Sequence, residues 1–121
     1  MSAWVWVAVA ALGGIGATLR FVLDGAIGAR VASSFPLGTL FINASGALAL
    51  GVLAGLAAGG QTLVLAGGAT LGSFTTFSTW MFESQRLTED ADLLGALVNI
   101  VLSLAVGVGA AALGHAIGGG R

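Results

Sequence analysis

Four apolar stretches, at about residues 4–23, 37–58, 62–82 and 93–117, decide most of what this chain can become. Each is about 20 residues long, the length a helix needs to cross the hydrocarbon core of a bilayer. Between them too few charges remain to cover a water-soluble domain. The chain of 121 residues carries four Arg and five Asp or Glu, so 7% of it is charged, against roughly 25% in soluble domains. The expected fold is therefore an all-α integral membrane protein with four transmembrane helices, built as a single domain over residues 1–121. The first stretch has no charged region before it and is too long for a signal peptide, so it is expected to be retained.

The connections differ in character. Residues 24–36 hold Asp24 and Arg30, and residues 83–92 hold Glu83, Arg86, Glu89, Asp90 and Asp92, which reads as two charged loops on one side of the membrane. Gly59-Gly60-Gln61 reads as a tight uncharged turn on the side of both termini. Arg30 and Arg86 lie on one side, Arg121 on the other, and Arg20 at a helix end. So small a bias barely specifies orientation. No basic stripe offers a nucleic-acid surface. The absence of Cys excludes disulfides, thiolate metal sites and cysteine nucleophiles.

Glycine explains how the helices should meet. Gly51, Gly55 and Gly59 recur every four residues, as do Gly68 and Gly72, and Gly114 and Gly118. That spacing lines small residues along one helix face and lets backbones approach closely. Four such thin helices enclose little volume, so a transport pathway would form between subunits, and an oligomer is expected.

Polar residues inside the spans carry the functional signal. Thr39 and Asn43 share a face of the second stretch, and Asn99, Ser103 and Gly107 share one of the fourth. The third contains "GSFTTFSTW", Gly72–Trp80, with five hydroxyl side chains in nine residues. A single hydroxyl in a membrane helix ordinarily bonds a carbonyl one turn earlier. Here Gly67, Gly68, Gly72 and the Thr75-Thr76 pair weaken the helix near mid-span, and an interruption is expected. Bilayers tolerate one only where the freed backbone is buried in protein or lines a polar cavity. No Asp, Glu, His or Lys lies in the middle of any span, which argues against a proton relay or a charge-pairing site. A neutral lining of amides, hydroxyls and aromatic edges suits a small, partly dehydrated ion.

Three elements taken together resemble the CrcB/Fluc fluoride channels: Gly13–Arg20 "GGIGATLR", Pro36–Gly46 "PLGTLFINASG", and "GSFTTFST" followed by Glu83. The resemblance covers essentially the whole chain. It implies a dual-topology antiparallel dimer in the bacterial inner membrane that exports fluoride passively. By likeness, the fluoride pathway is assigned to Asn43, Phe77, Ser78, Thr79, Trp80 and Ser103. Arg20 and Glu83 match polar vestibule positions. Gly72 and Thr75 match residues whose backbone carbonyls hold a structural sodium at the dimer centre. A homodimer is expected, with a pair of different chains as the alternative. Three positions depart from the family pattern: Trp80 stands where Phe is usual, Ser73 where Gly is common, and Asn99 where an aromatic hydroxyl is frequent. Trp80 keeps an electropositive ring edge and adds an N–H donor.

Two other membrane classes and an enzyme are the alternatives. A small dual-topology transporter needs a membrane-embedded carboxylate for proton exchange, and the first in this chain is Asp24. A non-transporting membrane subunit would use every hydroxyl as packing contact, and only ion flux separates it from a channel. An enzyme is the weakest class, since the one His, His115, falls near the end of the fourth stretch.

Overall fold

A computed structural model describes residues 1–31 and 33–119, and they are helical almost throughout. Gly120 and Arg121, which enter the sequence-based count of Arg by side, lie outside the described residues. Helix α1 spans Ala3–Arg30, well past the expected end near Leu23. Asp24, Gly25 and Gly28 weaken a helix without stopping it, and nothing breaks the chain until Val31 turns extended. Arg30 in the last turn complements the negative end of the helix dipole. Asp24, expected in a loop, is therefore a helical residue. Its carboxylate lies over Gly38, where any Cβ would collide with it.

Helix α2 spans Leu37–Gly55 and opens directly after Pro36. It stops earlier than its apolar pattern does, because Ala57 takes a left-handed conformation with φ 55°. The N–H of Ala58 then reaches back to the Leu53 carbonyl at 3.0 Å and that of Ala57 to Ala54 at 3.0 Å, the bonding pattern of a Schellman stop.

The third apolar stretch is not one helix. A single turn, α3 (Gly60–Thr62), leads into a π-helical segment, Leu63–Leu71, and then a short turn, α4 (Gly72–Phe74). The wide register shows in the side chains too: the Thr70 hydroxyl bonds the Leu65 carbonyl, five residues back, at 2.8 Å. Residues 75–77 are non-helical, with Thr75 extended at ψ 162°. Helix α5 (Ser78–Glu89) resumes the path. The expected interruption is present, but its place is set by Thr75-Thr76-Phe77. Gly67 and Gly68 fall in the π-helical segment instead.

After α5 the chain turns at Ala91, again left-handed with φ 59°, and Asp92 caps α6 (Leu93–Gly118) by accepting the Gly95 N–H at 2.8 Å. Helices α1, α2 and α6 are each long and apolar enough to cross a membrane. With the broken third stretch they give a four-crossing, all-helical protein.

The firmest contact in the fold is the seam between α2 and α6, and glycine makes it. A Cβ at Gly51 would strike the Ala111 carbonyl, one at Gly55 that of His115, one at Gly114 that of Leu48, and one at Gly118 that of Val52. The two backbones are thus in mutual contact over about two turns, as small-residue packing requires. Gly59 and Gly68, which share the four-residue spacing, have open space around them and take no part. On the other side, Gly16 of α1 abuts the Thr70 carbonyl and the Ser73 hydroxyl, which seats α1 against the π-helical segment. Most large apolar side chains point outward, among them Trp4, Phe21, Phe41, Phe82 and Leu94. Such a surface is stable against lipid or another apolar protein face, not water.

Candidate functional site

The break in the third crossing exposes main-chain groups, and side chains of this sequence collect them one by one. Thr76 would ordinarily donate its N–H to the Gly72 carbonyl, four residues back. Instead it donates to Asn43 Oδ1 at 2.8 Å, while Asn43 Nδ2 donates to the Thr76 carbonyl at 2.8 Å. The carboxamide of α2 thus pairs through both its ends with the N–H and the carbonyl of one residue of the break, Thr76. Thr79 would donate to the Thr75 carbonyl, but its N–H goes to the Thr76 hydroxyl at 3.1 Å. That is a side-chain cap on the start of α5. The Ser73 carbonyl accepts from Arg20 Nε at 3.3 Å.

The carbonyls of residues 72–75 all lose their customary helical donor in this arrangement; Arg20 takes up that of Ser73, and among those left are Gly72 and Thr75. These are the positions at which the family resemblance expects a sodium ion. Carbonyls released by an unwound turn are the usual cation ligands inside membranes, so the residues present fit such an ion.

Most of the residues singled out in the sequence line one groove of about 430 Å³. Asn43 reaches it from α2, Gly72 and Thr75 from the first side of the break, Phe77 and Trp80 from the second, and Ser103 from α6. No ionisable side chain is among the described residues that line it. Phe77 stands out from the protomer, 69% exposed. Its ring meets that of Trp80 at 5.7 Å and 88°, an edge-to-face pair in which the positive rim of one ring meets the negative face of the other.

The remaining candidates lie elsewhere. Thr79 and Glu83 line a second, polar groove of about 500 Å³ with Asp24, Ser33, Ser34 and Arg86. Glu83 Oε1 is buried there without a hydrogen-bond partner among the described residues. Arg20, grouped with Glu83 in the sequence reading, does not line this groove; it holds the Ser73 carbonyl. Ser78 is exposed and lines neither groove, although its hydroxyl lies 3.4 Å from that of Thr76. The Thr76 hydroxyl in turn donates to the Thr79 hydroxyl at 3.1 Å. Since Thr76 lines the apolar groove and Thr79 the polar one, this pair lies between the two.

Three residues absent from the sequence-based site make hydrogen bonds around it, in two separate groups. Thr76 is the hub of the break, and its signal was available: a Thr three residues before another polar N–H at a helix start is a capping pattern. Asn99 and Ser84 are both buried, at 1% and 4% exposure. Asn99 Nδ2 donates to Ser84 Oγ at 2.8 Å, and Asn99 Oδ1 accepts from Ser103 Oγ at 3.3 Å. Asn99 was visible as a polar stripe with Ser103, but its partner Ser84 sits on a different helix, which no spacing reveals. The N–H of Trp80 is also accounted for. It donates to the Asn99 main-chain carbonyl at 3.1 Å.

A family model described as CrcB-like protein, Camphor Resistance (CrcB), matches residues 7–115. The chain is 54% identical over 111 residues to fluoride-specific ion channel FluC 2 of Mycolicibacterium paratuberculosis, covering 92% of this chain and 91% of that one. It is 50% identical over 111 residues to FluC 2 of Mycobacterium bovis, covering 92% and 88%. To fluoride-specific ion channel FluC 1 of Leifsonia xyli subsp. xyli it is 40% identical over 123 residues, covering 98% and 90%.

Proposed function

The chain belongs to the CrcB-like family, and from that premise we propose that it is a fluoride-selective channel, which lets fluoride leave the cell down its gradient. One observation of geometry supports this reading most. Neutral hydrogen-bonding groups, with the Thr76–Thr79 hydroxyl pair at their centre, lie between a polar groove and an uncharged groove at the break. An anion moving there meets hydroxyls, aromatic edges and whatever bonding capacity the Asn43 amide retains. Inside the groove at the break it meets no carboxylate to repel it and no fixed cation to trap it. Weak, mobile stabilisation of this kind lets an ion enter and also leave.

The physiological logic is proton chemistry. Hydrogen fluoride is a weak acid that crosses membranes uncharged and dissociates inside, so fluoride accumulates unless an anion pathway releases it. A passive, selective pathway suffices, and no coupled proton or ATP is needed. In this reading Phe77 and Trp80 present ring edges to the ion, Thr79 and Ser103 present hydroxyls, Ser78 waits outside both grooves for a second copy to cover it, and Glu83 marks the polar approach.

The protomer encloses the groove incompletely, with Phe77 standing out of its surface. A second copy inserted in the opposite direction would close it, and the small Arg bias permits both orientations. The released carbonyls of Gly72 and Thr75 would then supply ligands to a structural sodium between the two copies. Sodium there would neutralise main-chain dipoles that otherwise face each other. The location would be the bacterial inner membrane. The numbered names FluC 1 and FluC 2 among the relatives keep a pair of two different chains as the alternative assembly.

The test is efflux from liposomes that contain only this chain, read with a fluoride electrode and with chloride as control. Fluoride efflux with chloride at the level of empty vesicles is expected. Equal efflux of the two halides would overturn selectivity. Absence of efflux for either would leave a chain that needs a different partner or a subunit that does not transport.

A further inference from the structure

We infer that Asn99 and Ser84 are positioning residues for Trp80, and that the indole N–H of Trp80 is committed to helix α6 and is not offered to the passing ion. This deepens the channel reading and rests on it. Where the family pattern has Phe, an indole could serve an anion as an added N–H donor. The geometry spends that donor elsewhere, on the Asn99 carbonyl at 3.1 Å. That carbonyl belongs to a regular stretch of α6 and has a second lone pair free for the indole.

The residue is held at a second point. The Trp80 main-chain carbonyl accepts from Ser84 Oγ at 2.9 Å, with Asn99 Nδ2 3.5 Å away. Ser84 Oγ also accepts from Asn99 Nδ2 at 2.8 Å, and Ser103 secures the other end of the same carboxamide. Trp80, Ser84 and Asn99 thus close a ring of hydrogen bonds between α5 and α6. At its heart are two buried polar side chains, whose bonds are costly to lose away from water. Both ends of the indole's attachment are fixed, so its plane is fixed. The exposed Phe77 ring takes its 88° orientation against that plane. Trp80 and Asn99, two of the departures from the family pattern, are in this view a matched pair. The larger ring is anchored on a main-chain carbonyl that any residue at 99 would supply, and what Asn99 adds is the amide that ties Ser84 and the Trp80 carbonyl together.

The experiment uses the full chain in detergent micelles and in liposomes, with Trp4→Phe and Trp6→Phe so that Trp80 is the one indole. Both removed indoles are exposed and far from the break in sequence. With ¹⁵N-indole labelling, the Trp80 N–H should exchange slowly with solvent, and its resonance should stay in place as sodium fluoride replaces sodium chloride. A fluoride-dependent shift of that N–H signal, or exchange as fast as that of free indole, would overturn the inference without any mutant having to fold. Asn99→Leu should speed indole exchange and lower fluoride efflux, each about tenfold, the scale of a buried hydrogen-bond loss. Asn99→Gln, which restores an amide, should recover part of both. Ser84→Ala should act in the same direction with a smaller effect. Unchanged exchange and efflux in both Asn99→Leu and Ser84→Ala would refute the positioning role. Absence of fluoride efflux from liposomes holding the unsubstituted chain, with the N–H still protected, would overturn the channel reading rather than the anchoring of the indole.

Discussion

Replacing Asn43 by Leu separates two roles that its carboxamide could have, lining a pathway and holding the break open. The side chain keeps a similar shape while both hydrogen bonds to the Thr76 main chain, each 2.8 Å, are lost. A donor and an acceptor of the main chain are then unpaired in a half-buried site inside the membrane. Stranding one polar group costs about 1–3 kcal/mol in a protein interior, whereas hydrogen bonds in membrane proteins average about 0.6 kcal/mol when both alternatives find partners. Two bonds at those limits bracket the loss between about 1 and 6 kcal/mol, and the tight pairing with an interrupted backbone places the expectation at about 2–4 kcal/mol. Unfolding by SDS titration in mixed micelles would measure it, with Asn43→Asp as the comparison. Aspartate keeps an acceptor for the Thr76 N–H and loses the donor to its carbonyl, so it should cost less stability. It should nevertheless abolish fluoride efflux, because a fixed negative charge would stand in an uncharged groove. The reasoning is refuted if Asn43→Leu unfolds within about 0.5 kcal/mol of the unsubstituted chain, the size of an ordinary surface change.

The other predictions concern the seam, the turns and the aromatic pair. Gly114→Ala should destabilise the α2–α6 contact by about 1–3 kcal/mol, because the added methyl meets main-chain atoms of Leu48 and Val52 that cannot step aside. Gly25→Ala, with open space around it, should instead stabilise α1 by about 0.5–1 kcal/mol in the same titration. Ala57→Gly and Ala91→Gly should each raise stability by up to about 1 kcal/mol, since both residues occupy left-handed backbone that glycine adopts freely. Phe77→Ile should cut fluoride efflux in liposomes while oligomeric state on size-exclusion chromatography stays the same. Normal efflux in that variant would remove Phe77 from the pathway.

Much of this architecture is legible in the residues because membranes restrict the options so severely. Apolar length alone marks four crossings, and a low charge count excludes a soluble alternative. The hydroxyl-rich run at Gly72–Trp80 announces a broken helix. Boundaries are less legible. Helix α1 runs on to Arg30 because Asp24 and Gly25 are tolerable helix residues, and composition cannot distinguish a tolerated charge from a loop. The stops of α2 and α5 fall at Ala57 and Ala91, where alanine gives no turn signal at all. The glycine rows are similarly ambiguous: Gly51, Gly55, Gly114 and Gly118 make a seam, while Gly59 and Gly68, with the same spacing, face open space.

Residue order was enough to fix a membrane as the solvent, apolar length that fits four crossings, a broken third span and the residue types available to an ion. These are properties of single segments, set by local propensity and by what hydrocarbon excludes. Which partner each polar group takes followed from the packing of the helices. Asn43 proved to be clasped to Thr76, Arg20 to the Ser73 carbonyl and the Trp80 indole to the Asn99 carbonyl. Hydrogen bonds are short and directional, so pairing between segments far apart in the chain depends on how the helices cross, which no spacing along one helix can encode.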